Sequence, residues 1–254
     1  RRESEQVYSH EVTVASAKNV RRYMNPPATT RLFLEYAFHL LGDIRGKTIL
    51  DVGCGGGENS ILLAHRGATV LSLDISQDLC QVASRRMEVN GFVPRALAAS
   101  AHSLPLPDGS VDVVFGAAVL HHLELKAASQ EIFRIVRPGG WLIFSEPLRD
   151  SKLLSALRSL VPKRADLDSP YERPLRLSEL FAFSSPFAIE HVRFFGLPPS
   201  RLADFTGLRL PGLDAAEYWA LTHVKSLAKF ATFAVIKLKK NQNGQSVRAL
   251  GAVT

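Results

Sequence analysis

Cysteine is scarce in this sequence of 254 residues, which holds only Cys54 and Cys80. Two cysteines are too few for a disulfide scaffold, and they predict a reduced, cytoplasmic setting. No stretch approaches the ~20 consecutive apolar residues that a membrane-spanning helix needs, so no membrane partner is expected. The first residues lack the charged, apolar and small-residue order of a signal peptide. Aromatic side chains make up only 8% of the chain, and none alternates with basic residues as a stacking platform for nucleic acid would. There is no internal repeat. His121 and His122 are adjacent and point in different directions, and no third ligand stands at suitable spacing, so no metal is expected.

What remains is a chain that is 46% hydrophobic, enough for a sizeable core in one globular unit. The formal net charge of +7 keeps nucleic acid open as a partner, although Lys and Arg are scattered.

The most informative stretch is Leu50-Asp51-Val52-Gly53-Cys54-Gly55-Gly56-Gly57-Glu58. It reads as the end of a buried strand followed by a glycine-crowded turn, with glycines at every second position. Such a turn lets backbone approach a ligand where a Cβ would collide. The helix that opens behind it directs unpaired N–H groups toward the turn. The dinucleotide fingerprint G-x-G-x-x-G would place its third glycine at position 58, which is Glu58. The spacing is instead G-x-G-x-G, preceded by Asp51. A carboxylate repels a diphosphate and attracts an ammonium group, so Asp51 favours a zwitterionic or cationic ligand. A second apolar run, residues 70–74, ends in Asp74, where an acid can accept both hydroxyls of a ribose. Ribose together with a cationic amino acid describes S-adenosylmethionine.

Four segments, LDVGCGGGE (50–58), LSLDIS (71–76), SLPLPDGSVDVVFGAAVLHHL (103–123) and RIVRPGGWLIF (134–144), carry a resemblance to the class I S-adenosylmethionine-dependent methyltransferases, particularly those that act on small molecules. The resemblance covers residues 47–146. It implies a Rossmann-like, doubly wound α/β fold: a seven-stranded sheet, mostly parallel, with an antiparallel last strand and helical cap elements. It implies S-adenosylmethionine as cofactor and S-adenosylhomocysteine as product. Residue by residue, it implies that Asp51, Gly53, Cys54, Gly55 and Gly57 face the methionine part. Asp74 would take the ribose, and Ile75 would pack on the adenine. Ala101 and His102 would lie at the adenine edge. Gly116 and Ala117, just past the fourth strand, would let backbone carbonyls reach the ammonium. The chain departs from the family at Ser100, where an acid usually accepts from the adenine amino group; a hydroxyl accepts more weakly, and His102 would compensate by stacking.

Along the chain, residues 1–20 read as loose and 23–27 as turn-like. Helices are expected over 30–41, 59–66, 76–90, 124–136, 151–161, from 178, and over 213–229. Strands are expected over 48–52, 69–74, 95–99, 111–115, 141–145, 187–195 and 231–238. This gives cap helices over 1–46, a cofactor core over 47–146, substrate-side elements over 147–240 and a flexible tail over 241–254. Asn25-Pro26-Pro27 resembles a motif of adenine-methylating enzymes but lacks its following aromatic, and it reads as a loop.

Methyl transfer by in-line displacement needs an aligned nucleophile and, for a hydroxyl acceptor, a base. His121 and His122, after the fourth strand, and Glu146, after the fifth, are the catalytic candidates: a histidine and a carboxylate facing each other across the mouth. The expected activity is methylation of a small molecule, first on oxygen, with nitrogen and carbon open. The acceptor is expected to be hydrophobic or aromatic because the flanking segments are rich in Phe and Tyr. The alternatives are methylation of RNA or protein, and cofactor binding without catalysis.

Overall fold

The computed structural model describes residues 14–149, 173–200, 203 and 211–241. The expected helix over 151–161 and almost all of the expected tail lie outside the described residues.

In chain order the elements are α1 (Ala17–Met24), α2 (Phe33–Leu41), β1 (Thr48–Val52), α3 (Glu58–His65), β2 (Thr69–Asp74), α4 (Gln77–Val89), β3 (Ala96–Ala98), β4 (Val111–Ala117), a 3-10 turn (Leu120–His122), α5 (Leu125–Ile135), β5 (Val136–Pro147), α6 (Leu177–Phe183), β6 (Ala188–Phe195), α7 (Leu213–His223), a second 3-10 helix (Lys225–Phe230) and β7 (Phe233–Lys239). The sheet order is β3-β2-β1-β4-β5-β7-β6. β7 runs antiparallel to both β5 and β6, and the other pairings are parallel. The chain turns opposite ways from β1 toward β2 and toward β4. The resulting crevice at their carboxyl ends is where open α/β sheets receive ligands.

Strand periodicity divides the core into two layers. Leu50, Val52, Val114, Phe144 and Ile236 face α5 and α6, meeting Ile132, Ile135, Leu180 and Phe183. Ile49, Val113, Phe115, Ile143 and Val235 face the other way, toward Phe38 and Leu41 of α2, Ile61 and Leu63 of α3, and Met87 of α4. Both faces of the central strands are therefore covered, which is why their sequences are nearly unbroken apolar runs. α2 lies on the sheet through Phe38, 5.2 Å from the Phe115 ring, and Phe33, stacked 3.9 Å from Phe233.

Local chemistry sets the ends. Ser76 caps α4 by accepting from the Leu79 N–H, and Glu124 caps α5 by accepting from Lys126 and Ala127. Four readings need correction. Glu146 lies within β5, paired with Ala234 of β7, rather than after that strand. Residues 17–24 are helical rather than loose: Ser16 caps α1 through the Asn19 N–H, and Arg22 pairs with Glu35. α1 buries no residue fully, and its contact with the core runs through Tyr23, whose ring lies 5.0 Å from that of Phe38. Gly116 and Ala117 belong to β4 instead of following it, paired with Phe144 and Ser145 of β5. The run 213–229 breaks at Val224 into a helix and a 3-10 segment.

Candidate active site

The glycine turn is held in place by its own hydrogen bonds. The Cys54 N–H donates to the Leu73 carbonyl at 2.8 Å and the Gly57 N–H to the Cys54 carbonyl at 2.9 Å. The Gly55 N–H donates to Asp74 Oδ2 at 3.0 Å. Three N–H groups of the turn are thus spent inside the protein. Gly53, Gly55 and Gly57 all adopt positive φ. A Cβ on Gly53 would collide with Val119, and one on Gly57 would meet Ala83 at 2.9 Å. Behind the turn, Arg86 of α4, nearly buried, donates to the Gly56 carbonyl at 2.5 Å and pairs with Glu58.

A cavity of about 530 Å³ opens at the carboxyl ends of β1, β2 and β4. That volume lies within the range of small-molecule sites. Its walls bring together Gly53, Asp74, Ile75, Ser100, Ala101, His102 and His122 from the sequence candidates. They also include Leu79, Ala118, Val119 and Leu123, which the sequence reading did not single out. Asp51, Cys54, Gly55, Gly57, Gly116, Ala117, His121 and Glu146 do not line it. Gly116 is small for another reason: a Cβ there would stand 2.5 Å from the Phe144 ring.

Asp74 is the polar centre of this wall. Its Oδ1 accepts from the Ser76 N–H at 2.9 Å and its Oδ2 from Gly55. A carboxylate offers about four lone-pair directions, so two remain for a ligand. Ile75, 81% exposed, stands over the same opening.

Asp51 is only 1% exposed. Its Oδ2 accepts from the Ser60 hydroxyl at 2.6 Å, and the Ser72 hydroxyl donates to Ser60 at 2.8 Å. Burial pushes the Asp51 carboxyl up to about 7, with the neighbouring charges of Glu58 and Asp74 adding to the rise and the Ser60 bond opposing it. Cys54 is buried beside these acids, and desolvation raises its thiol well above the ordinary range. It is a packing residue with no thiolate to offer.

His121 and Glu146 do meet. His121 Nδ1 lies 3.0 Å from Glu146 Oε2. The other oxygen of Glu146 accepts from the Val119 and Leu120 N–H groups, both at 2.9 Å. The Glu146 side chain is 0% and that of His121 5% exposed, so the pair lies beneath the cavity rather than across its mouth. His122 is the histidine on the wall, with its ring centroid 4.1 Å from that of His121. Ala118 makes this arrangement possible. Its φ of 55° turns the chain after β4 so that the next two N–H groups aim at Glu146. Nothing in the sequence around Ala118 announces a left-handed residue.

Residues 50–144 match the family model described as a methyltransferase domain. That stretch is a methyltransferase domain, and the chain resembles the class I S-adenosylmethionine-dependent methyltransferases. The cofactor of that family is S-adenosylmethionine, with S-adenosylhomocysteine as its product. Among curated relatives, malonyl-acyl-carrier-protein O-methyltransferase of Serratia marcescens is 35% identical over 39% of this chain and 38% of its own length. Ubiquinone biosynthesis O-methyltransferase of Paraburkholderia xenovorans (strain LB400) is 35% identical over 56% of this chain and 63% of its own. The match therefore spans less than two thirds of either relative. The crystal structure of an S-adenosylmethionine-dependent methyltransferase from Mesorhizobium loti superposes with a TM-score of 0.56, at 19% identity, over 81% of this chain and 97% of that one. The seven-stranded sheet of the methyltransferase fold, with its single antiparallel strand, is the architecture found here.

Among the described residues, no group of three His, Cys, Asp or Glu side chains could hold a metal ion. No described helix is long and apolar enough to cross a membrane.

Proposed function

We propose that this methyltransferase transfers the methyl group of S-adenosylmethionine to oxygen on a small, predominantly apolar acceptor. The observation that carries the reading is Asp74. Two of its lone pairs fix the glycine turn and Ser76, while the others face a cavity sized for a nucleoside. S-Adenosylmethionine supplies a methyl group on a cationic sulfur. The surroundings fit that charge: Glu58 and Asp74 add to the rise that burial imposes on the Asp51 carboxyl, and the Cys54, Gly55 and Gly57 N–H groups are engaged within the protein and do not offer themselves to a diphosphate. In this reading Asp74 takes the ribose hydroxyls, and Ile75 and Ala101 enclose the base. Gly53 lets the methionine chain pass close to backbone. Asp51 acts through its field, from one layer below.

The acceptor's proton goes to His122, the histidine on the wall. Glu146 and His121 act as its support: Glu146 anchors the backbone of the 3-10 turn, and His121 packs against the His122 ring. Oxygen is favoured as acceptor because both relatives described above carry O-methyltransferase names. The apolar preference rests on Leu79, Val119 and Leu123 in the wall.

The test is incubation with methyl-labelled cofactor and a panel of phenols, carboxylic acids and amines, read by mass spectrometry. Labelled phenol ethers or methyl esters are expected. Label confined to amines, or to RNA or protein added in parallel, would overturn the acceptor assignment.

A further inference from the structure

The loop after β3 contains a hydrogen-bond chain whose proton positions can be read from its ends. The Glu124 backbone N–H, which can only donate, points at His102 Nε2 at 2.9 Å. That nitrogen must therefore carry a lone pair, so the neutral ring holds its proton on Nδ1. His102 Nδ1 lies 3.1 Å from Ser100 Oγ, and the His102 backbone N–H donates to the same oxygen at 3.2 Å. The Ser100 oxygen thus accepts twice from His102, and its single proton is left to point elsewhere. Ser100 and His102 both line the cavity.

On the proposed reading of that cavity as a nucleoside site, we infer that Ser100 is a hydrogen-bond donor to the base and selects a ring nitrogen of adenine rather than its exocyclic amine. This reverses the role expected from sequence, in which a residue at this position accepts from the amine. His102 is the positioning residue. It fixes the direction of the Ser100 hydroxyl, and through Glu124 it ties the base loop to the start of α5, two residues beyond His122. Its ring edges are committed to these bonds, so it is a bridge between two loops of the wall.

The experiment is a coupling cycle by calorimetry. The ligands are S-adenosylhomocysteine, its 6-deamino analogue, and its 1-, 3- and 7-deaza analogues. The proteins are the full chain, Ser100→Ala, His102→Phe and His102→Asn. In the wild type one deaza analogue is expected to lose about tenfold in affinity, as one neutral hydrogen bond predicts. In Ser100→Ala that penalty should vanish while any cost of removing the amine stays unchanged. His102→Phe, which keeps the backbone N–H donor to Ser100 but lacks the ring donor that fixes the hydroxyl's direction, should also erase it. His102→Asn, whose amide can replace the Nδ1 donor, should restore it. The imidazole nitrogen resonances of His102 should report a protonated Nδ1. A Ser100→Ala effect coupled to the amine, or a proton found on Nε2, would overturn the inference while leaving the cofactor assignment intact. Failure of every protein, wild type included, to bind S-adenosylhomocysteine would instead overturn the nucleoside reading and this inference with it.

Discussion

Glu146 and His121 are joined by a 3.0 Å contact inside the protein, with the carboxylate wholly buried and its second oxygen accepting two backbone N–H groups. Removing the carboxylate would orphan all three partners at once. Glu146→Ala is therefore expected to lose roughly 3 kcal/mol of stability, the cost of leaving buried donors unpaired. Urea unfolding measures it. A loss of turnover with an unchanged unfolding midpoint would instead make Glu146 a participant in the chemistry.

His122 should behave in the opposite way. His122→Ala is expected to lower kcat by about a hundredfold, in the range of a lost general base, with little change in stability or in S-adenosylhomocysteine affinity. His121→Ala should reduce stability more than His122→Ala does. Equal, mild losses of kcat in both variants would leave positioning alone as the source of rate.

Asp51 predicts a pH dependence whose sign is fixed. Its carboxyl rises from 3.8 to about 7 on folding, so the folded chain holds a proton that the unfolded chain releases. The associated stability is present below about pH 4 and is lost as pH rises through about 7. Asp51→Asn should remove this slope, gaining on the wild type toward the upper end of the window. Binding of a cationic nucleoside would stabilise the charged carboxylate. Proton release on binding S-adenosylmethionine, seen by calorimetry in buffers of different ionisation enthalpy, should disappear in Asp51→Asn.

Asp74→Ala removes the acceptor for the Gly55 and Ser76 N–H groups as well as the proposed ribose contact. S-Adenosylhomocysteine affinity is expected to fall by at least about a hundredfold, as loss of charge-assisted hydrogen bonds predicts. Unchanged calorimetric affinity would refute the ribose assignment.

Ala118 stands in the left-handed region at φ 55°, where a Cβ costs about 1–2 kcal/mol. Ala118→Gly should relieve part of that strain and raise the thermal midpoint. A fall would mean that the Ala118 methyl packs in the cavity wall to greater effect than its strain.

The sheet and the place of its crevice were legible along the chain because their determinants are local. Apolar runs of strand length, Ser76 before a helical period and glycines after β1 each act within a few residues. β1 and β2 were read with the bounds they have, and α4 within a residue at each end. The direction of side chains at the site was not legible, since it depends on contacts far apart in sequence. His121 and His122 are neighbours in an unremarkable dipeptide. The one that faces the cavity is settled by Glu146, 25 residues away from His121, and by a backbone twist at Ala118. Gly116 looks like a ligand-facing glycine until Phe144 fills the space above it. The proton on Ser100 depends on a backbone N–H at Glu124, on the far side of β4. The amino-acid order by itself determined the glycine turn after β1 and the acids beside it, from which a cationic nucleoside is expected, because charge and glycine spacing are properties of adjacent residues. Only the tertiary structure decided which groups of the wall donate, which accept and which are sealed beneath it, because each hydrogen bond there joins segments that meet only when the sheet is complete.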